Sequence, residues 1–252
     1  MIANGGRWGG RLTSRPLPED DATLATLGGE DRAIVVRAWL GRSAAERRAG
    51  DSFEVIRDAL IARNEPQALI DLATRAVDDE HRHGELCRIV ASRYAGAELP
   101  EPPRLALEVP VHEGASDDLR HSLHVVGQCA LNETAASAFL EACLARAEGP
   151  LVRAALRELM SDEIDHARIG WAHLAAAKAE HKRALAPWIP RLIKGYVAEW
   201  AKSYAPDPPR DLSAHGVPPT VVIVEAVRAA MNEVVLPGLR HVGFVVEATA
   251  IA

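Results

Sequence analysis

Apolar residues spaced alternately three and four apart recur through four long stretches of this chain. In two of them the stripe is interrupted by the same pair, a glutamate followed three residues later by a histidine. Steps of three and four lie on one face of an α-helix. The second stretch reads Leu69, Ala73, Ala76, Glu80, His83, Cys87, Val90, Tyr94, and the fourth reads Val152, Leu156, Leu159, Glu163, His166, Gly170, His173, Ala177. A face that is otherwise apolar is a core face, so both Glu-x-x-His pairs are directed inward. The third stretch carries a lone acid in the same position, in Val126, Cys129, Glu133, Ala136, Leu140, Cys143. In the first, two acids compete. The stripe through Glu46 (Val36, Trp39, Ser43, Glu46, Ala49, Phe53, Ile56, Leu60) is apolar, whereas that through Glu54 (Arg47, Asp51, Glu54, Asp58, Ile61) is charged, which selects Glu46.

The breaks between the stretches fix their connection. "NEP" at 64–66 and "EGP" at 148–150 are short, whereas "ELPEPPRLALEVPVHEGASDD" separates the second stretch from the third. Short links join antiparallel neighbours and a long link crosses over, so the chain reads as two helical hairpins. Each hairpin sets a lone glutamate against a Glu-x-x-His. Residues 1–30, rich in Gly, Pro and Arg and without a period, read as a loose, irregular leader; residues 31–182 form the four-helix bundle. Gly41 and Gly50 weaken the start of the first helix and leave open a separate short helix there. Residues 183–252 add further helices, ended by proline clusters and by Pro237, that pack on the bundle; the tail "GFVVEATAIA" is ambiguous between helix and strand.

Composition excludes several functions. The 35 acidic and 29 basic residues are mixed along the chain, with no basic stripe to neutralise a phosphate backbone, so no nucleic-acid partner is expected. No window approaches the roughly 20 apolar residues of a membrane span, and the start lacks the apolar region of a signal peptide, which points to a cytoplasmic protein. Cys87, Cys129 and Cys143 are odd in number and form no CxxC. They read as small buried residues rather than a disulfide framework or a thiolate metal site.

A buried carboxylate needs a partner, and several on inward faces need a cation. Glu46, Glu80, Glu133 and Glu163 with His83 and His166 make a box of four carboxylates and two imidazoles, which two divalent metals balance in charge. Oxygen donors with imidazole suit iron or manganese. Asp79 and Asp162 precede the two ligand glutamates. There each can accept the remaining ring N–H of a ligand histidine, and we expect a crossed pairing, Asp79 with His166 and Asp162 with His83.

Through Glu46, "DDEHRH" at 78–83, "NET" at 132–134 and "DEIDHA" at 162–167, the sequence resembles the ferritin-like di-iron carboxylate superfamily. It looks most like bacterial ferritin-like domain proteins without assigned substrates. The resemblance covers about residues 40–180 and implies two iron ions, with manganese or a mixed pair compatible, held by the six residues above. The second histidine is similar to the arrangement in rubrerythrins and oxygen-activating oxidases rather than in iron-storing ferritins. The chain has no rubredoxin-like CxxC pair, has Leu159 where arylamine N-oxygenases carry an extra histidine, and has Cys87 where a radical-forming family places tyrosine.

The leading expectation is therefore a non-haem di-iron oxidase or oxygenase that uses O₂ or peroxide on a small organic substrate, with an external electron donor and a possible homodimer. The alternatives are iron handling or peroxide scavenging without an organic substrate, and a helical interaction module that has kept its metal. No catalytic residue apart from the ligands is singled out. Gly84 and Gly170 serve either close helix packing or room for substrate. His81, His121 and His124 are assigned to the surface or rim, His173 and Trp171 to the core. Trp188, Tyr196, Trp200 and the segment 221–236 could roof the bundle.

Overall fold

The computed structural model describes residues 13–203 and 207–245. The chain is helical: α1 (Gly29–Ala62), α2 (Gln67–Ala95), α3 (Asp117–Val125), α4 (Glu133–Arg146), α5 (Pro150–Ala176), α6 (Ala179–Leu185), α7 (Ile189–Ser203), α8 (Thr220–Ala230) and α9 (Leu236–His241). Two π-helical stretches, Val126–Asn132 and Met231–Val235, join α3 to α4 and α8 to α9 without a break. Among the described residues there is no strand, only an isolated bridge between Leu212 and Val217. None of their helices is long and apolar enough to cross a membrane.

Local chemistry sets the helix ends. Asn64 takes a positive φ in the turn between α1 and α2. Ser116 accepts a hydrogen bond from the Leu119 amide, with Asp117 and Asp118 in the first turn of α3, where the helix dipole favours acids. Pro150 opens α5, where its missing N–H costs nothing.

The long helices pack antiparallel. Arg32 donates to the Tyr94 carbonyl at 3.2 Å and Ser43 to that of Gly84 at 2.6 Å, which runs α1 against α2. Arg82 meets Glu158 at 3.2 Å while His166 lies near Asp79, which runs α2 against α5. Gly84 and Gly170 serve the packing reading. A Cβ at 84 would lie 2.7 Å from Arg47 Cγ, and one at 170 would lie 2.5 Å from the backbone nitrogen of Ala130.

α1 runs unbroken from Gly29 through Gly41 and Gly50, so residues 29–40 extend the first helix rather than form a separate one. Tertiary contact supports it: Gly50 is buried against the His81 ring. The part of the expected leader that is described is not loose. Leu17 is buried, Asp21 caps a short 3-10 helix (Ala22–Thr26) and accepts the Leu151 amide at the start of α5, and Ser14 bonds Glu158. The remainder, residues 1–12, and most of the ambiguous tail lie outside the described residues.

The expected boundary at 182 falls inside α6, and the core continues across it. Leu185, Ile189, Ile193, Ile223, Val227 and Leu239 share one buried cluster with Trp39, Leu156 and Leu159. Polar bonds lock the C-terminal part in place: Trp39 donates to the His215 carbonyl at 3.1 Å, Arg42 to that of Gly216 at 3.1 Å, and Tyr94 Oη meets His215 Nδ1 at 2.9 Å.

Candidate metal centre

The antiparallel registers bring all six inward residues together. Glu80 and His83 come from α2, Glu163 and His166 from α5, Glu133 from the first position of α4 and Glu46 from α1. Five of them are buried to 2 % exposure or less; Glu46 is half-buried and Glu54 is exposed, as the stripe comparison required. They form two groups whose donor atoms could each hold a metal ion: Glu46, Glu80, His83 and Glu163 on one side, and Glu80, Glu133, Glu163 and His166 on the other. Glu80 and Glu163 belong to both.

Both imidazoles turn Nδ1 to the centre. His166 Nδ1 lies 3.1 Å from Glu80 and 3.6 Å from Glu163, and His83 Nδ1 lies 3.8 Å from Glu163 and 3.9 Å from Glu80. Both turn Nε2 outward to the aspartate of the opposite hairpin. His83 Nε2 meets Asp162 at 3.0 Å, and His166 Nε2 lies 3.5 Å from Asp79. The crossed pairing expected from the sequence is thus hydrogen-bonded at His83, whereas His166 Nε2 faces Asp79 without a hydrogen bond.

Among the described residues, four polar atoms at the centre have no hydrogen-bond partner, Glu80 Oε2, Glu163 Oε2, His83 Nδ1 and His166 Nδ1, and neither has the outward His166 Nε2. Each such atom buried without a partner costs about 1–3 kcal/mol. Four converging on one point fit a group that accepts lone pairs from all of them, and a metal ion does so. Protons partly fill that role in the bare protein. Burial, then the charges of Glu80 and Glu163, push Glu46 well above the usual carboxylate range; burial, then Glu163 and Glu80, do the same to Glu133. Burial alone would raise Glu163 as well, but the adjacent His166 imidazole, then the charge of His83, hold it low. His166 is raised well above its ordinary value because the neighbouring carboxylates of Asp79, Glu163 and Glu80 outweigh its burial.

Several contributors escaped the sequence reading. Arg82 bridges the outer carboxylates, bonding Asp79 at 3.3 Å, Glu158 at 3.2 Å and also Asp162. Its spacing three residues after Asp79 was the available signal. The π stretch before Glu133 was not foreseen. Its winding sets residues five apart side by side, and Gln128 thereby donates to Glu133 Oε1, joined by Asn132 at 3.4 Å. Phe53 closes one side, its ring 5.3 Å from that of His166. Cys87 and Cys129 are buried nearby, and burial raises both thiols well above their usual range, so they remain protonated.

A cavity of about 630 Å³ opens from Glu46, Glu133 and Glu163. Ser52 and Gln128 lie along its walls with Tyr196 and Trp200 of α7, and Leu105, Ala106, Leu107, Glu108 and Pro110 of the crossover segment border it. Neither Gly84 nor Gly170 lines it.

The remaining histidines need one correction. His121 is buried at 9 % exposure rather than set on the rim, with Nε2 unpartnered, because α6 and α5 fold over α3. His173 and His181 both bond Ser122 Oγ, at 2.9 and 2.7 Å. His124 bonds Ser52 at 2.9 Å and borders the cavity, and His81 is half-buried.

No protein-family model matches the chain and no curated protein matches it, so the donor set and its surroundings carry the functional reading.

Proposed function

We propose that the chain is a ferritin-like bundle whose six inward residues hold a dinuclear centre of two iron ions, with manganese able to substitute. The centre would use O₂ or peroxide to oxidise a small organic substrate, drawing electrons from an external donor. One observation carries this reading: two metal-competent groups share Glu80 and Glu163 and open onto a cavity large enough for an organic molecule. When bound, such ions supply redox equivalents and coordination positions for the oxidant.

The chain's own residues have separable tasks. Glu80 and Glu163 would serve both metal positions; Glu46 with His83 would complete one, and Glu133 with His166 the other. Asp162 and Asp79 fix which ring nitrogen of each histidine faces the centre, and Arg82 holds both aspartates. Gln128 and Asn132 orient the Glu133 carboxylate. Phe53 and the apolar core exclude water on the sides away from the cavity. The cavity favours an organic substrate over iron handling, which needs a path for ions but no chamber.

The test is anaerobic ferrous loading of purified protein, followed by metal analysis and optical spectra on adding O₂ or peroxide. About two metals per chain and an oxidant-dependent spectral change are expected. Fewer than about one metal per chain under loading would sink the dinuclear centre. Rapid oxidation with iron then released into solution would favour iron handling.

A further inference from the structure

The cavity beside the centre contains two hydrogen-bond donors with nothing to donate to. Arg48 lines it from α1, and among the described residues its guanidinium has no hydrogen bond and no ion pair. The other arginine on the wall is committed: Arg42 donates to the Gly216 carbonyl and lies 4.3 Å over the Trp39 ring and 4.8 Å over that of Phe139. Tyr196 of α7 lines the same cavity, close enough to feel the Arg48 charge, and its hydroxyl also lacks a hydrogen-bond partner among the described residues. Burial, chiefly, raises the Tyr196 hydroxyl well above its ordinary range, so it stays a donor. Gly127 makes that placement possible, since a Cβ there would lie 2.8 Å from Tyr196 Oη.

The charge balance gives these donors their meaning. The inference rests on the dinuclear reading, in which four glutamates are offset by two divalent cations. The other acids on the wall, Glu108 and Glu199, are exposed and keep their hydration. Arg48 is then a partly buried positive charge facing an otherwise offset chamber, beside a phenolic donor. Phe139 and Trp200, with ring centroids 5.3 Å apart, and Leu140 supply an apolar wall. A guanidinium fork and a hydroxyl fit a carboxylate, the guanidinium through charge-assisted bonds.

From these observations we infer that the cavity binds an amphipathic organic acid, its carboxylate held by Arg48 and Tyr196 and its apolar body against Phe139, Leu140 and Trp200.

The probes are octanoate and 4-phenylbutyrate, each compared with its primary amide and the corresponding amine. Binding is followed by calorimetry on manganese(II)-loaded protein whose metal content is measured first. At least one carboxylate is expected to bind about tenfold more tightly than its amide and amine. Arg48→Gln should weaken it by about tenfold or more with metal content unchanged, Arg48→Lys should restore part of the loss, and Tyr196→Phe should weaken it by a smaller factor. A loaded protein that binds neither carboxylate, or binds amide or amine equally well, overturns the inference. So does Arg48→Gln with undiminished affinity, which would place the carboxylate on the metals. Failure to take up metal would instead remove the dinuclear reading on which the inference rests.

Discussion

Because Glu80 and Glu163 belong to both donor groups while Glu46 and Glu133 each belong to one, removing different glutamates has unequal consequences. Glu46→Gln leaves the position built from Glu80, Glu133, Glu163 and His166 intact. Glu80→Gln removes a donor from both. The expected metal content under saturating manganese(II) is therefore about two ions per chain for the wild type, one for Glu46→Gln and near zero for Glu80→Gln. At free metal 100 times the dissociation constant, each bound ion stabilises the native state by about 2.7 kcal/mol, so two contribute about 5.4 kcal/mol. For a chain of 252 residues, at about 2–4 °C per kcal/mol, loading should raise the wild-type Tm by roughly 10–20 °C, Glu46→Gln by half that and Glu80→Gln hardly at all. Glu46 is an apt first target, because burial and its acidic neighbours already hold it protonated in the bare protein. A neutral amide then changes metal-free stability little. The assay is scanning calorimetry with and without metal beside elemental analysis of the same samples. Equal metal content in Glu46→Gln and Glu80→Gln, with equal Tm shifts, would refute the shared-ligand geometry.

Three further outcomes follow from particular contacts. Gly170→Ala forces a methyl toward the Ala130 backbone, so urea unfolding should show a loss of about 1–3 kcal/mol; an unchanged midpoint would mean the helices separate freely there. Arg82→Met removes the donor shared by Asp79, Asp162 and Glu158, and a metal titration should show affinity about 10–100-fold weaker, whereas unchanged affinity would reduce Arg82 to a surface ion-pair partner. Burial, with the Arg63 charge and neighbouring histidines, lowers His121 to about 3; burial, then His181 and Arg63, lowers His173 to about 4. The native state keeps both neutral while the unfolded chain protonates them near pH 6.5. Each should then cost up to about 1.4 kcal/mol of stability per pH unit as pH falls from 6.5 toward those values, with no effect above 6.5. The wild-type slope of unfolding free energy between pH 6.5 and 5 should exceed that of His121→Phe/His173→Phe, and identical slopes would contradict the assignment.

The three-and-four spacing of apolar residues was enough to read helices and the inward direction of Glu46, Glu80, His83, Glu133, Glu163 and His166, and the lengths of the breaks between them gave the hairpin pairing. A stripe interrupted only by acids and imidazoles has one face to bury, whatever packs against it. The same reasoning separated Glu46 from Glu54 and placed Asp79 and Asp162 just off the seam, opposite the histidines they meet. It read His121 as a rim residue because α3 alone does not reveal that α5 and α6 will cover it. It also missed the π stretch before Glu133, since an added residue per turn leaves no mark in a pattern assumed to repeat at helical period.

What the sequence determined by itself is the inward set of four glutamates and two histidines, because side-chain direction along a helix follows from spacing alone. Tertiary structure decided which donors are shared and what lies beside them. Glu80 and Glu163 are common to both groups through the α2–α5 register, Arg82 gathers carboxylates from α2 and α5, and Tyr196 reaches Gly127 from α7. These relations link residues distant in the chain, and packing between helices, rather than periodicity within one, sets them.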